Sequence, residues 1–236
     1  QSSSLAVHNI SNVGLARTLA GCIFPVGLMM IVFVGGELFT GDCMMSMAWM
    51  QRKIHFADML RTLVLVYVSN FVGAALIAFL VAHSGQYDYS SGALGAYTIK
   101  VAYGKVHLSF ANALISGILC NILVCVAVLM AAAAKDIAGK VLAIFFPILA
   151  FVVSGFEHCV ANMYYIPAGI FASKNAAYAT KALELYNIDS TQLSSLNWGS
   201  FAISNLIPVT IGNIIGGALL VGGACFYLHG KALHES

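Results

Sequence analysis

Charge is scarce in this sequence. Of its 236 residues only 8% are Asp, Glu, Lys or Arg, whereas 60% are hydrophobic. A soluble domain carries about 25% charged residues, so this composition excludes an ordinary soluble protein and predicts one that crosses a membrane several times. The formal net charge of +2 is too small to indicate binding to nucleic acid or to a strongly acidic partner.

Sequence patterns of catalysis and of metal binding are missing as well. The six cysteines form no Cys-x-x-Cys pair and lie mostly in apolar stretches, where we interpret them as small buried side chains. No metal-ligand cluster, nucleophile triad or cofactor-binding motif is visible in the sequence. We therefore expect neither enzyme activity nor a metal ion or other cofactor.

The charge-free runs are long enough to cross a bilayer, which takes about 20 residues in a helix. They predict an all-α, multi-pass protein of the cell (inner) membrane with five spans, two of them interrupted. The spans are residues 18–36 with a half-helix at 44–50, 62–87, 106–134, 141–173, and a last one within 190–230. The polar connections before residue 106 and at 174–197 are interpreted as loops. Residues 1–236 are expected to form a single transmembrane channel domain, with one further helix upstream of Gln1.

The basic residues divide between the two ends of the predicted spans. By the positive-inside rule, the slightly larger group is placed in the cytoplasm: Arg52, Lys53, Arg61, Lys135, Lys140 and Lys231. The other group falls on the opposite side: Arg17, Lys100, Lys105, Lys174 and Lys181.

The fourth span contains a polar interruption. Glu157 and His158 are the only readily ionisable side chains between Lys140 and Lys174, and Ser154 and Gly155 directly precede them in a place that suggests a helix break. Ionisable groups at bilayer depth are costly and usually face a protein interior or a water-filled path. A broken helix is tolerated there only where its freed backbone is buried or lines a cavity. These residues therefore indicate a polar point on a pathway through the membrane.

The two halves of the chain resemble each other. The string beginning at Asn70 (Asn-Phe-Val-Gly-Ala-Ala-Leu) is similar to the one beginning at Asn213 (Asn-Ile-Ile-Gly-Gly-Ala-Leu), and each follows an interrupted span that holds a glutamate, Glu37 or Glu157. An odd number of crossings separates the two copies, so they point in opposite directions. This pattern predicts an inverted repeat, with the functional site near the midplane between the halves.

Five strings resemble the formate/nitrite transporter family, and their order and spacing fit that family. They are Leu38-Phe39-Thr40, Lys105-Val106-His107, Ser154-Gly155-Phe156-Glu157-His158 continuing to Ala161-Asn162-Met163, Ile166-Pro167-Ala168-Gly169, and Asn205-Leu206-Ile207-Pro208-Val209-Thr210-Ile211-Gly212-Asn213-Ile214-Ile215-Gly216-Gly217. The resemblance is to formate-channel and hydrosulfide-channel members, and it covers the chain apart from its polar loops and the absent first helix.

The resemblance implies a homopentamer of aquaporin-like protomers in the lipid membrane, each with its own pore for small monovalent anions of weak acids. Formate is the expected substrate, and hydrosulfide and nitrite are the alternatives. The resemblance also implies a pore histidine at His158 and a lysine near the outer vestibule at Lys105. Thr40 and Asn121 would be pore-facing polar groups, with Glu157 behind the site.

The same resemblance implies where the pore is narrow. Phe24 and Leu28 would form a cytoplasmic constriction and Phe151 an outer one. Leu38 and Phe39 would belong to a loop that gates the path.

The residue types suit the transport of an anion. A small anion loses much solvation energy when it enters a low-dielectric interior. Lys105 would attract it at the mouth, and His158, an imidazole with an ordinary pKa of about 6.5, would provide a proton further in. The neutral acid could then pass apolar rings that exclude hydrated ions.

Other interpretations stay open at this stage. His158 also suits a buried histidine bonded to Glu157 or to a backbone carbonyl, and Lys105 suits an interfacial anchor. Glu157 suits a partner for backbone amides freed at the break. A pore for a neutral solute such as water, glycerol or ammonia would have an aquaporin-like layout too, although the paired Asn-Pro-Ala motifs of aquaporins are absent from this sequence.

Overall fold

The structure, a computed structural model, describes residues 13–229. Lys231, the polar tail and the expected upstream helix therefore lie outside the described residues. Throughout the described range the regular structure is helical, with no strand. Five helical stretches in it are long and apolar enough to cross a membrane, which confirms the predicted spans and the all-α membrane fold.

The spans follow one another along the chain. They are α1 (Val13–Ile23) with α2 (Pro25–Val34), α5 (Phe56–Ala82), α7 (Phe110–Ala133), α8 (Ile137–Ser154) and α12 (Trp198–Leu228). Three shorter helices complete the two interrupted spans: α3 (Phe39–Asp42) and α4 (Met45–Met50) after α2, and α9 (Cys159–Ser173) after α8. The half-helix predicted at 44–50 is thereby confirmed.

Two connections predicted as loops are helical, which corrects that prediction. They contain α6 (Ala93–Val106), α10 (Ala176–Tyr186) and α11 (Ser190–Ser194). With 14 residues, α6 is about 21 Å long and too short to cross a hydrocarbon core of about 30 Å. It is buried along α9 instead, so closely that a Cβ on Gly169 would collide with the side chain of Ala102. Its tyrosines, glycines and lysines resemble a loop in composition, and packing against α9 makes it a helix.

The two interruptions have the same backbone geometry. Each helix ends on a glycine in the left-handed region, Gly35 with φ +78° and Gly155 with φ +74°, a conformation in which a side chain is strained. Three residues later the chain is extended at Leu38 and His158, and the following half-helix begins. The break predicted at Ser154 and Gly155 is therefore confirmed, and the first half contains its counterpart.

One asparagine bridges each interruption. Asn70 on α5 accepts a hydrogen bond from the first N–H of α3 (3.0 Å) and donates one to the carbonyl of Glu37 (3.1 Å). Asn213 on α12 does the same for the first N–H of α9 (2.9 Å) and the carbonyl of Glu157 (3.1 Å). These asparagines begin the two similar strings of the sequence. Because the two interrupted spans are the first and fourth crossings, they run in opposite directions, and the predicted inverted repeat is confirmed.

The helices α7 and α12 approach each other through glycine. A Cβ on Gly216 would collide with the carbonyl of Ile118, and one on Gly117 would lie 2.8 Å from the carbonyl oxygen of Val209. Small residues at such crossings allow two helix backbones to come close in a membrane protein. The close approach brings the polar side chains of α7 and α12 to the centre of the fold.

We expect Gly216→Ala to destabilise the protein by about 1–3 kcal/mol, because the added methyl group must displace backbone rather than a flexible side chain. The thermal unfolding midpoint of the full-length protein in detergent micelles measures this. Gly223→Ala on the same helix is the matched control, since no atom lies within 4 Å of a Cβ at that position. Equal midpoints for the two variants would contradict the close packing of α7 and α12.

Candidate functional site

His158 begins α9 and connects the two interruptions. Its Nδ1 accepts a hydrogen bond from the backbone N–H of Ala161 (3.0 Å), so the ring caps the helix. Its Nε2 lies 2.9 Å from the hydroxyl oxygen of Thr40 on α3. Both side chains are buried, His158 with 7% and Thr40 with 0% of its surface exposed. The structure therefore brings two of the predicted pore residues into direct contact.

The hydrogen bonds of His158 determine which ring nitrogen carries the proton. Since Nδ1 accepts the N–H of Ala161, it bears no proton, and the proton of the neutral ring is on Nε2. Nε2–H then donates to the hydroxyl of Thr40. A second proton can be added at Nδ1 only if the bond to Ala161 opens.

Asn121, on α7, holds the two halves together. Its Nδ2 donates to the carbonyl of Thr40 (3.1 Å) and to the carbonyl of Asn213 (2.6 Å), and its Oδ1 lies 3.7 Å from the Sγ of Cys125, which donates to it. The side chain has 0% exposure. Asn121 was predicted to face the pore. In the structure both polar atoms of its side chain form hydrogen bonds within the protein, and its amide supplies a donor to carbonyls freed at the interruptions.

The carboxylate of Glu157 is surrounded by side-chain donors. The Nζ of Lys105 lies 2.8 Å and 3.0 Å from its two oxygens. Asn162 donates to it at 2.7 Å and Asn205 at 3.4 Å. The Glu157 side chain thus contacts side chains rather than the backbone amides of the break, which corrects that interpretation. Lys105 is correspondingly a member of an ion pair with 18% of its side chain exposed, not an interfacial anchor.

The predicted constriction residues lie together. The rings of Phe24 and Phe151 pack edge to face with centroids 5.3 Å apart, and the Phe151 ring is 6.1 Å from the ring of His158. Leu28 is buried in the same apolar cluster. The prediction placed Phe24 in a cytoplasmic constriction and Phe151 in an outer one, and the structure brings the two rings into contact next to His158.

The two residues of the expected gating loop have different surroundings. Leu38 is half-buried and packs against the apolar cluster that contains Leu28 and Phe151. Phe39 is buried, and its ring stacks edge to face on Tyr67 at 4.8 Å. Leu38 is therefore the residue of this pair that packs beside Leu28 and Phe151.

A cavity of about 620 Å³ leads to this group of residues. We call it the vestibule, and its lining includes Phe24, Phe151, His158, Asn162 and Tyr165. Its charged lining residues are Arg17, Lys100, Lys105 and Glu157. All three cations belong to the group that the sequence placed on one side, and together they exceed the single carboxylate, so the vestibule is positively charged.

Four further residues take part in the site although the sequence did not single them out as functional. They are Asn162 and Asn205, which bond to each other at 2.7 Å, Tyr165, whose ring lies 5.6 Å from the Nζ of Lys105, and Arg17. The asparagines carried a signal, since amides in apolar spans need hydrogen-bond partners. Arg17 and Tyr165 carried none, because basic and aromatic residues are common at span ends.

The chain is similar to known transporters over nearly all of its length. The family profile described as "Formate/nitrite transporter" matches residues 2–227. The formate channel FocA of Haemophilus influenzae is 40% identical over 210 residues, which cover 89% of this chain and 73% of that protein. A probable formate transporter of Methanothermobacter thermautotrophicus is 40% identical over 228 residues, covering 91% of this chain and 75% of that protein.

A solved structure shares the fold as well. It is described as a pentameric formate channel with formate bound, and it matches with a TM-score of 0.83 at 32% sequence identity. The match covers 96% of this chain and 89% of that one. The two structures therefore share one fold over nearly the whole of this chain.

Proposed function

Because the chain belongs to the formate/nitrite transporter family, we propose that it is a channel for small monovalent anions of weak acids and that formate is its main substrate. Two relatives are named for formate, and their names describe transport, so transport rather than catalysis is the activity we assign. A solved relative is pentameric, and we propose the same assembly here, with one pore in each protomer.

The observation that carries this proposal is the vestibule, which is positively charged and has two contacting aromatic rings in its lining. Three cations and one carboxylate line it, and the rings of Phe24 and Phe151 are in contact in its lining next to His158. We assign the apolar constriction to these two rings. A positive entrance concentrates anions, whereas an apolar constriction excludes hydrated ions. A solute that enters as an anion and crosses as a neutral acid satisfies both conditions, and formate can be protonated in this way.

We assign the proton exchange to His158 and Thr40. The Nε2–H of the neutral ring donates to the hydroxyl of Thr40, and this hydroxyl can pass a proton on towards the path. For His158 to supply a proton and stay neutral, Nδ1 must take one up, and the bond from Ala161 to Nδ1 must open for that step. The balance is one proton in and one proton out: a hydronium ion in the vestibule protonates Nδ1, the Nε2 proton moves to the hydroxyl of Thr40, and the hydroxyl's own proton passes to formate, so the ring stays neutral. Exchange with water then returns the ring to the tautomer with its proton on Nε2.

The charged lining favours this function over a neutral-solute pore. Water, glycerol and ammonia gain nothing from excess positive charge, and a cation at the entrance does not help them to cross a membrane. Nitrite and hydrosulfide are also small anions of weak acids, and the same site chemistry suits them. They remain the alternatives within the family.

We expect rapid formate uptake into proteoliposomes that contain the full-length protein, with the internal pH recorded beside the uptake of labelled formate. Nitrite, hydrosulfide and glycerol are compared at the same concentration and at two pH values. Formate uptake faster than in empty liposomes supports the proposal. Uptake of nitrite or hydrosulfide without uptake of formate would contradict the assignment of formate as the main substrate. Glycerol uptake without any anion uptake would contradict the assignment of the protein as an anion channel.

A further inference from the structure

We propose that Arg17 is the residue that first binds the substrate anion in the vestibule, ahead of Lys105, and that its guanidinium selects anions with two oxygens. The inference rests on the proposed function, because it takes a small anion as the substrate. It assigns the first contact to a residue at the start of the first span, far in sequence from the other residues of the site.

The charge of Lys105 is already compensated. Both carboxylate oxygens of Glu157 lie within 3.0 Å of its Nζ, and Asn162 and Asn205 hold that carboxylate in place. Seen from the vestibule, the pair is a dipole rather than a net charge, and its field decays faster with distance. The attraction of anions from solution therefore falls to the two other cations of the lining, Arg17 and Lys100. The Nζ of Lys100 lies over the rings of Tyr97 and Tyr186, 5.9 Å and 4.7 Å from their centroids, which leaves Arg17 as the cation without an aromatic or carboxylate neighbour among the described contacts.

Arg17 has the right position for this. It lies on the same face of the first span as Ala20 and Phe24, at helical spacings of three and seven residues, and all three line the vestibule. An anion that moves along this face passes Arg17 two helical turns before it reaches the ring of Phe24. Arg17 is exposed in the protomer and belongs to the lining of the vestibule.

The contacts of Arg17 leave its charge uncompensated. Its Nη1 donates to the carbonyl of Val153 (3.4 Å) at the end of α8, and its guanidinium lies against Gly155, with Nη1 3.5 Å from the Cβ position there. Within residues 13–229 the structure gives it no carboxylate partner. These contacts hold the guanidinium at the interruption, three residues before His158, with donors remaining for a ligand.

The chemistry of the guanidinium sets the selectivity. Its planar fork of donors matches the two oxygens of a carboxylate, whereas an ammonium acts as a point charge. Formate and nitrite each present two oxygens on one central atom, and hydrosulfide presents a single sulfur. Arg17 should therefore bind formate and nitrite more tightly than hydrosulfide. A lysine in its place should still attract anions but should not distinguish between them in this way.

Initial uptake rates in proteoliposomes of the full-length protein test this, with Arg17→Gln and Arg17→Lys beside wild type and formate and hydrosulfide as substrates. In low salt we expect Arg17→Gln to raise the half-saturating formate concentration about three- to tenfold with the maximal rate unchanged. This difference should shrink at high ionic strength, because salt screens an exposed charge. For Arg17→Lys, the half-saturating concentration of hydrosulfide should stay within about twofold of the wild-type value, whereas that of formate should rise.

Arg61→Gln is the matched control, since Arg61 is an exposed arginine at the start of α5 and is not part of the vestibule lining. A lower maximal rate in Arg17→Gln at every salt concentration, with unchanged half-saturation, would show that Arg17 only closes the end of α8 and would overturn this inference. If wild type takes up anions and Arg17→Gln has the same half-saturating concentration and maximal rate at every salt concentration, the inference about Arg17 is overturned while the proposed function stands. Absence of anion uptake by wild type would overturn the proposed function and this inference together.

Discussion

Glu157→Gln is expected to destabilise the protein by about 2–4 kcal/mol, somewhat less than the roughly 3–5 kcal/mol that breaking a fully buried ion pair costs. The side chains of Lys105 and Glu157 are 18% and 8% exposed, so the lysine retains some solvent when its partner is neutralised. Three donors surround the carboxylate, from Lys105, Asn162 and Asn205. An amide group in its place would turn its own N–H donors towards some of them.

The coupling between the two charges distinguishes an ion pair from simple packing. Lys105→Met alone should also destabilise the protein, because it leaves the carboxylate buried beside two amides. The double variant with Lys105→Met and Glu157→Gln should be more stable than the sum of the single effects predicts, since neither charge then remains alone. Thermal midpoints of the four proteins in detergent give this coupling.

The exposed pair of Lys181 and Glu184 provides the control. Their charged groups are 3.0 Å apart, close to the distance in the buried pair, but the side chains are 34% and 54% exposed. Glu184→Gln should therefore change stability by less than about 1 kcal/mol. Strictly additive effects of the two substitutions at Lys105 and Glu157 would show that the pair contributes no coupling, and that result would contradict the ion-pair network of the site.

The sequence predicted the parts of the fold that depend on local chemistry. A glycine next to ionisable residues in an apolar run indicated the break at Gly155. Ionisable side chains and freed backbone groups are both costly in a bilayer, so they occur together where a helix is interrupted inside the protein. The similar strings at Asn70 and Asn213 indicated the inverted repeat. Their physical basis appears only in the structure, where each asparagine binds both sides of one interruption.

The parts that the sequence did not predict depend on packing between distant segments. The helix α6 looked like a loop because its burial comes from α9, about 60 residues away in the chain. Phe24 and Phe151 were assigned to different constrictions, although their rings are in contact. A resemblance to a family gives residue identities, but it does not give the distance between two side chains on separate helices.

The sequence predicted which residues form the polar centre of the fold, but it did not predict the hydrogen bonds between them. Thr40, His158 and Asn121 were all identified, and the contact between Thr40 and His158 agrees with a shared site. That Asn121 donates to the backbone carbonyls of Thr40 and Asn213 could not be foreseen. An amide side chain in an apolar helix can line a pore or bind freed backbone carbonyls. The positions of the interruptions determine which carbonyls lie within its reach.

Replacing His158 by a side chain that cannot titrate is expected to lower proton-coupled formate uptake about a hundredfold, the lower end of what a positioned proton donor contributes. Two substitutions separate the roles of the ring. His158→Asn can keep the cap on Ala161, because its amide oxygen reaches the place of Nδ1 and asparagine is a good N-cap residue. His158→Gln can keep the reach of Nε2 towards Thr40 but caps the helix less well. Neither residue exchanges a proton with water.

The measurement follows labelled formate and internal pH together in proteoliposomes of the full-length protein, at two external pH values. Both variants should lose the proton that accompanies formate and the dependence of uptake on pH. If His158→Gln kept wild-type uptake and its pH dependence while His158→Asn lost them, the ring would act as a hydrogen-bond donor to Thr40 and not as a proton carrier. If both variants kept them, the proton would reach formate by a route that does not include His158, and Thr40 with the vestibule water would have to supply it.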